Sequence, residues 1–248
     1  MSKNTPETEL LYQKSKPIDQ LSLFDGLSLM IKEQKNAALE VKKSIKSIEH
    51  AIEAIYKHLT LHSKGRLIYV GAGTSARIGV QDGVELFPTF NWPKERLDFI
   101  IAGGVNALLN AIENAEDDTY SAEKIVEDKL ICHEDVVIGI AASGNTPFTC
   151  RALEKAKNQS ALTISISNNT RGEILKYGDH KIILNTNAEV VAGSTRLKAG
   201  TAQKICLNVI STMVMVKMGR VKNGLMNEMI PTNEKLRLRK KNLINFIN

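Results

Sequence analysis

The stretch RLIYVGAGTSARIG (residues 66–79) decides the fold class of this chain. An apolar, β-forming run (residues 66–70) leads into a glycine-rich loop, and the loop opens a helical pattern. Four more short apolar runs lie at residues 98–102, 135–141, 161–167 and 180–184, and helical stretches separate most of them. Strands that alternate with helices form a parallel sheet covered on both faces. The sequence therefore predicts an α/β fold with a five-stranded parallel sheet, a flavodoxin-like three-layer sandwich.

Helical patterns flank the predicted sheet on both sides. Apolar residues recur at three- and four-residue steps between residues 18 and 61, which indicates a helical hairpin or one long helix. A long apolar helix, residues 195–218, is predicted as a central buried element, and a short last helix begins near residue 232. The first 16 residues are polar and are expected to be mobile. This divides the chain into a tail with helices (1–61), a core (62–220) and a C-terminal helical segment (221–248).

Composition limits the class of protein. Hydrophobic residues make up 43% and charged residues 24% of the 248 residues, which is ordinary for a globular chain and argues against disorder. Three cysteines without a CxxC pair fit a reducing cytoplasm. The chain opens with no signal-peptide pattern, and no run approaches the about 20 apolar residues of a membrane span. A membrane is therefore not expected as a partner. The basic cluster EKLRLRKK (residues 234–241) has no interleaved aromatic residues, so nucleic acid is not expected either.

Three loops rich in small hydroxyl residues follow predicted strands or open a predicted helix: GAGTSARIG (71–79), AASGNTPF (141–148) and VAGSTRLKAGTAQK (191–204). Ligands of α/β sheets bind beyond the carboxyl ends of the strands. Helix-start N–H groups and Ser or Thr hydroxyls together suit an anion, here a phosphate. Arg196 and Lys198 either screen this anion or pair with acids elsewhere. The binding candidates from these loops are Gly73, Thr74, Ser75, Ser143, Asn145, Thr146, Ser194, Thr195 and Lys198.

The sequence also contains weak patterns for a dinucleotide site and for a metal site. Residues 71–76 also fit the loose dinucleotide pattern G-x-G-x-x-G/A, but the acid that should close the second strand is Asp98, which would open it. A phosphorylated small molecule is therefore favoured over a nicotinamide, with three unconnected tight turns as the alternative. Among the five histidines only His58 and His62 have a metal-ligand spacing, and with no carboxylate nearby they are interpreted as surface histidines, without a metal.

Several motifs together resemble the N-acetylmuramic acid 6-phosphate etherases, a branch of the sugar isomerase domain proteins. They are GRLIYVGAGTSARIGVQDGVELFPTF, IAGG, AIENAEDD, GIAASGNTP, AGSTRLKAGTAQK and TNEKLRLR, and they span about residues 19–239. The resemblance implies a cytoplasmic homodimer that takes a phosphorylated amino sugar and uses no metal or organic cofactor. It also implies a carbon–oxygen lyase, which eliminates D-lactate from carbon 3 of the sugar, adds water back and yields N-acetylglucosamine 6-phosphate during cell-wall sugar recycling.

The resemblance carries over two acid/base glutamates, Glu85 and Glu116. Elimination needs a base for the proton on carbon 2 and an acid for the departing oxygen, and each contributes typically about 10²–10⁴-fold. Burial among apolar neighbours would raise the pKa of one glutamate and keep it protonated near neutrality. Glu85 is assigned as the acid and Glu116 as the base, and both are expected to follow their strands toward the ligand edge. Glu189 matches a family position near the sugar.

Departures from the family pattern keep alternatives open. Ala76 replaces a usual glycine, Asn145 a usual arginine and Val105 a usual acid. Relatives continue for several dozen residues, so the C-terminal segment is expected to be truncated relative to the family. A non-catalytic phosphosugar-binding regulator or degenerate etherase is one alternative, and an aldose–ketose phosphosugar isomerase is another. The two glutamates also have non-catalytic interpretations. Glu85 would then be a helix residue that faces solvent, and Glu116 would belong to an ordinary charged turn.

Overall fold

The computed structural model describes residues 5–229 and residue 234. Its centre is a five-stranded parallel sheet in the order β2-β1-β3-β4-β5. The strands are β1 (Leu67–Gly71), β2 (Leu97–Ile101), β3 (Val136–Ala141), β4 (Leu162–Ser167) and β5 (His180–Ile183). Each end lies within one residue of the predicted run, so the predicted sheet is confirmed. The strand order reverses between the neighbours β1 and β3, where α/β sheets open a ligand crevice at their carboxyl edge.

Helices cover both faces of the sheet. They are α1 (Leu23–Lys43), α2 (Ile45–Leu61), α3 (Gly73–Val84), α4 (Leu86–Phe90), α5 (Thr119–Asp128), α6 (Pro147–Asn158) and α7 (Lys198–Lys217). Leu67 and Tyr69 of β1 belong to the core beneath α1, α2 and α7, whereas Ile68 and Val70 belong to the core beneath α5 and α6. This alternation places a hydrophobic layer on each side of the strands, and the predicted three-layer sandwich is confirmed.

Ser44 separates the two N-terminal helices. It ends α1 and begins α2, and its hydroxyl donates to the Ile183 carbonyl of β5 at 2.5 Å. A hydroxyl that bonds to the sheet edge fixes the break, so the region contains two helices rather than one long one. Both helices pack against α7.

The central helix α7 begins at Lys198, three residues later than predicted, and its buried residues include Ala199, Cys206 and Ile210. Within the described part of the chain it is the one helix long and apolar enough to cross a membrane. More than half of it is buried against α1, α2 and α3, as in the core helix of a globular domain. The last predicted helix, from residue 232, lies outside the described residues.

Candidate functional site

The first glycine loop lies between β1 and α3, at the carboxyl edge of the sheet. Gly73 opens α3 with a φ of 53°, a left-handed conformation that glycine adopts without strain. A Cβ atom at Gly71 would lie 3.0 Å from the Ala76 nitrogen, whereas one at Gly73 would meet nothing within 4 Å. The loop therefore faces open space where the first N–H groups of α3 have no partner in the helix. Such a helix start suits an anion.

A buried chain of side chains connects this loop to β4 and α7. Ser75 Oγ donates to Gln203 Oε1 at 3.0 Å, and Gln203 Nε2 donates to Asn168 Oδ1 at 2.9 Å. The Asn168 amide nitrogen in turn donates to the Leu184 and Ala199 carbonyls. Ser75, Gln203 and Asn168 are all buried. In this arrangement the Ser75 proton faces Gln203, so the donors that the loop presents to its open side are backbone N–H groups.

The second loop follows β3 and begins α6. Gly144 has a φ of 76°, and a Cβ atom there would lie 2.5 Å from the Gly172 Cα atom, so this loop packs tightly on the segment after β4. The Asn145 N–H donates to Ser143 Oγ at 3.1 Å. Thr146 is the N-cap residue of α6, and its hydroxyl makes no capping bond. Both predicted hydroxyl residues thus lie at a helix N-terminus, where the dipole favours negative charge.

A cleft of about 470 Å³ opens beside the second loop, and we call it the basic cleft. Ser143 and Asn145 line it from one side, and Arg171 and Lys176 line it from the segment after β4. Asn145 Oδ1 accepts the Glu173 N–H at 2.9 Å. Both cations lie outside the sequence motifs and were not predicted. Glu7 and Glu173 line the same cleft, and Glu173 pairs with Lys176 at 2.7 Å, so the cleft carries charges of both signs and is named here only for its two cations.

The N-terminal segment (residues 5–10) packs against the core and forms one wall of the basic cleft. Thr8 is fully buried, and its N–H and hydroxyl bond to the Asn169 side chain, both at 3.1 Å. Asn169 also donates to the Ala142 carbonyl, and the Gly193 N–H donates to the Thr8 carbonyl. The prediction of a mobile tail was wrong for this segment, because its polar groups pair with a buried asparagine far along the chain. The one hint in the sequence was the pair Asn168 and Asn169 just after β4, since two amides there need polar partners.

The third loop meets the first at Gly200. A Cβ atom at Gly200 would lie 3.3 Å from both the Thr74 methyl carbon and the Thr195 carbonyl oxygen. Ser194 and Thr195 are half-buried, and Arg196 is exposed. Since the Asn168 N–H also donates to the Ala142 carbonyl of the second loop, all three loops share one hydrogen-bonded framework. This favours the prediction of one site over three unconnected turns.

Glu189 lies beneath the start of α7 and is 1% exposed. Its carboxylate accepts the N–H groups of Lys198 and Ala199 at 3.2 and 2.7 Å, so it caps the helix. Burial raises the pKa of Glu189, although the two N–H bonds oppose that effect. The side chain faces the helix rather than an open cleft, so the single chain offers no geometric support for a sugar contact.

Lys198 is also buried. Its Nζ atom lies 2.7 Å from Glu33 Oε2 of α1, and both side chains are at most 4% exposed. A second bond joins Nζ to the Ala188 carbonyl at 2.9 Å. Of the two alternatives for Lys198, this geometry matches pairing with an acid.

Glu85 lies at the junction of α3 and α4, and its side chain is exposed. Because α3 runs for 12 residues away from the glycine loop, Glu85 lies about 18 Å from the loop's N–H groups. The prediction that Glu85 follows its strand toward the ligand edge was wrong, since a whole helix intervenes. The expected burial of this glutamate among apolar neighbours is also absent within one chain, because its side chain faces solvent. Glu85 lines a second cleft of about 310 Å³ with Lys204 and Asn208 of α7, which we call the Glu85 cleft.

A buried polar cluster forms the floor of the Glu85 cleft. Asp82 accepts the Tyr69 hydroxyl at 2.7 Å, the Asn208 amide at 2.7 Å and the Ser211 hydroxyl at 3.0 Å. Burial, and then the adjacent Asp82, raise the pKa of Tyr69 well above its ordinary value. Asp82, three residues before Glu85, was not predicted because no sequence motif singles it out. These bonds fix α3 against α7 directly beneath the exposed glutamate.

Glu116 lies in a short 3-10 helix, Ala115–Asp117, between β2 and α5, and it is exposed. A Cβ atom at Gly103 would lie 3.2 Å from the Ala115 Cβ atom, so this segment folds back on the end of β2. Glu116 therefore stays near the carboxyl edge of the sheet. Within one chain, the two predicted acid/base residues lie toward opposite edges.

Two of the three family departures leave the first loop open. Ala76 is buried in a small cluster with Ile101 and Ala107, so its methyl group fills space in the core and does not narrow the first loop. Val105 begins a 3-10 helix and is 74% exposed. Neither side chain obstructs the first loop.

Several doubly wound folds share this strand order, and comparison with known proteins places the fold among the sugar isomerase domains. The family model of the glucokinase regulatory protein N-terminal SIS domain matches residues 47–157. A solved phosphoheptose isomerase from Francisella tularensis superposes with a TM-score of 0.61 at 18% identity, covering 79% of this chain and 100% of that chain. At that identity the likeness shows the fold alone.

Curated relatives narrow the class further. Over 96% of its length the chain is 42% identical to the N-acetylmuramic acid 6-phosphate etherase of Oenococcus oeni, covering 79% of that protein. Over 92% of its length it is 45% identical to the corresponding etherase of Lactobacillus johnsonii, covering 76% of that protein. The chain belongs to the N-acetylmuramic acid 6-phosphate etherase family, which confirms the resemblance found in the motifs.

Proposed function

We propose that this chain cleaves the D-lactyl ether of N-acetylmuramic acid 6-phosphate and releases N-acetylglucosamine 6-phosphate and D-lactate. The observation that carries the proposal is 42% identity over 96% of the chain to an etherase of that name. Three hydroxyl-rich loops on one hydrogen-bonded framework, next to a basic cleft, supply the surroundings that a phosphosugar needs.

The phosphate end of the substrate is assigned to the carboxyl edge of the sheet. The donors there are the N–H groups of Gly73, Thr74 and Ser75 at the start of α3, with Ser143 and Thr146 at the start of α6. Arg171 and Lys176 are the cations across the basic cleft, where Lys176 is paired with Glu173 at 2.7 Å. Helix N-termini and cations together favour a dianionic phosphate over a neutral sugar.

The two glutamates divide the reaction. Glu116 takes the proton from carbon 2 of the ring-opened aldehyde, and the freed electron pair forms the bond to carbon 3. The carbon 3–oxygen bond breaks, and Glu85 gives its proton to the departing lactate oxygen. Water then adds its hydroxyl to carbon 3 and a proton returns to carbon 2, so no oxidant or cofactor is consumed.

A cytoplasmic homodimer is part of the proposal. In one chain Glu85 is about 18 Å from the phosphate loop, which is too far for one sugar to reach both. An apolar stripe on α1 is exposed, with Leu23, Phe24, Leu27 and Ile31 each at least 54% accessible. Exposed stripes of this kind mark contact surfaces. A second subunit would cover the stripe and bring its own Glu85 to the first subunit's phosphate loops.

A phosphosugar-binding regulator is the second candidate. The match of residues 47–157 to the regulatory-protein domain favours it, and such a protein would bind the phosphate end without turnover. Both candidates share the loops and the basic cleft. They differ in whether the glutamates do chemistry.

The deciding experiment is D-lactate release from N-acetylmuramic acid 6-phosphate by the purified chain and its Glu85→Gln variant. Glu95→Gln, another exposed glutamate outside the Glu85 cleft, is the matched control. We expect release by the parent and by Glu95→Gln, with a loss of at least about 100-fold in Glu85→Gln. Phosphosugar binding measured by calorimetry should survive in all three proteins.

Other outcomes have definite meanings. Phosphosugar binding without D-lactate release by the parent would replace the etherase with the regulator. Conversion of a phosphosugar without D-lactate would identify an isomerase. Full turnover by Glu85→Gln would overturn the assigned mechanism while leaving the etherase activity in place.

A further inference from the structure

A cluster of metal-ligating side chains lies far from the phosphate loops, at the amino edge of the sheet. His62 ends α2, and His133 and Glu134 precede β3. One ligand atom from each of the three residues lies within 4.8 Å of the other two. Sequence spacing could not reveal this group, because about 70 residues separate its two halves. The five-residue strands place it about 16 Å from the carboxyl edge.

We propose that His62, His133 and Glu134 bind a divalent transition metal ion of the Zn²⁺ type. Two imidazoles and one carboxylate are a common protein donor set for zinc, with a water at the fourth position. Ligand atoms on one tetrahedral zinc ion lie about 3.4 Å apart, so the three side chains must close by roughly an ångström. His133 is exposed on a loop, which leaves its side chain room for that movement.

The backbone on both sides of the cluster is fixed. The Arg96 guanidinium donates to the carbonyls of Leu59, His62 and Gly65, at 2.8 to 3.0 Å. On the other side, Asp135 accepts hydrogen bonds from the Arg66 side chain. Both arginines are therefore engaged by these partners. Ligands on a rigid frame lose little freedom when an ion binds.

His58 adds a fourth imidazole next to the cluster. Its ring centroid lies 4.7 Å from that of His62, one helical turn away on α2. Its Nε2 atom is buried and makes no well-formed hydrogen bond in the part of the chain that the structure describes, although the His133 and Glu134 backbone lies beside the ring. A buried imidazole nitrogen without a partner is uncommon and needs an explanation. A bound ion, or a water on that ion, would satisfy it.

The proposed ion joins the end of α2 to the start of β3. Gly65 already packs on the Glu134 carbonyl, since a Cβ atom there would lie 2.1 Å from that oxygen. Binding to the folded chain alone stabilises it by mass action. The site therefore predicts a metal-dependent melting temperature rather than a part in sugar chemistry.

The test is calorimetric titration of Zn²⁺ into chelator-stripped full chain in a buffer free of phosphate. We expect one ion per chain for the parent, and affinities weaker by at least about tenfold for His133→Gln and Glu134→Gln. His50→Gln is the matched control, since His50 is an exposed histidine of α2 outside the cluster. Zn²⁺ should raise the melting temperature of the parent and of His50→Gln, but not that of His133→Gln.

His133 carries the test because it is exposed and its replacement leaves the core untouched, whereas His62→Gln could also disturb the end of α2. Intense visible absorption by added Co²⁺ in the parent, absent in Glu134→Gln, would give independent support. Equal Zn²⁺ affinity in the parent, His133→Gln and Glu134→Gln would overturn the proposal. So would binding well below one ion per chain.

Discussion

At the residue scale, the buried pair of Glu33 and Lys198 connects α1 to the start of α7. Tyr12 also donates to Glu33, at 3.0 Å. Burial disfavours the charged carboxylate, but the hydrogen bond and charge of Lys198, with the bond from Tyr12, outweigh it and lower the pKa of Glu33. A lowered folded-state pKa means that the pair stabilises the fold above the ordinary value of 4.5. This contribution is lost as the pH falls through the folded-state pKa.

Removal of one partner should therefore cost far more than removal of both. We expect Lys198→Met to lower the free energy of unfolding by about 3–5 kcal/mol at pH 7, because Glu33 is left buried and uncompensated. Adding Glu33→Gln to Lys198→Met should recover much of that loss. Urea unfolding followed by circular dichroism measures both.

The pH dependence checks the cause of this effect. The difference between the parent and Lys198→Met should shrink as the pH falls below about 4.5, because protonation neutralises Glu33. Lys204→Met, an exposed lysine one turn and a half along α7, is the control and should stay within about 0.5 kcal/mol of the parent. A loss in Lys198→Met that the double variant fails to recover would argue for packing instead of charge.

At the scale of elements, the N-terminal segment packs beside the second loop and the basic cleft. Thr8 bonds to Asn169, which also holds the Ala142 carbonyl of the second loop. The segment also supplies one wall of the basic cleft. Its contribution should thus appear in substrate affinity.

Deletion of residues 1–10 should raise the KM for N-acetylmuramic acid 6-phosphate by about tenfold and change kcat less, since uniform binding contacts are lost. Steady-state kinetics measure both constants. An unchanged KM after the deletion would remove the segment from the site.

Thr8→Val should lower the free energy of unfolding by about 1 kcal/mol, because the bond between the Thr8 hydroxyl and Asn169 is lost. Thr60→Val, at an exposed position of α2, is the control for that substitution. Urea unfolding of both variants measures the difference.

The same elements show what sequence can and cannot predict. Strands such as β3 were placed to within one residue because every position of Val136–Ala141 is buried, which leaves an uninterrupted apolar run. The three hydroxyl-rich loops could be recognised from local glycine and hydroxyl patterns, and their binding of a phosphate stays a prediction. Contacts such as Thr8 with Asn169 span 161 residues, and no local pattern encodes them. The error on Glu85 had the same origin, since its position depends on the direction of α3 and not on its distance from the glycine loop in sequence.

At the scale of the whole molecule, the proposed site takes groups from two copies of the chain. Leu23, Leu27 and Ile31 lie at four-residue steps on α1 and form one exposed stripe with Phe24. Leu109, beside the Glu116 segment, is 91% exposed. Burial of such residues in a symmetric dimer would remove water from the region between the phosphate loops and a partner's Glu85 cleft.

The arrangement makes a sharp prediction about mixed dimers. If each site takes Glu85 from one subunit and Glu116 from the other, Glu85→Gln and Glu116→Gln are each inactive alone. Subunit exchange between them gives hybrids with one intact site, and random mixing should restore roughly a quarter of the parent's D-lactate release. No recovery on mixing would place both glutamates in one subunit's site.

Leu27→Glu places a charge in the exposed apolar stripe of α1, so it should yield monomers by light scattering and lose turnover in parallel. Glu40→Gln, at the other end of α1, is the control and should stay dimeric and active. A Leu27→Glu monomer with full turnover would exclude a shared site altogether.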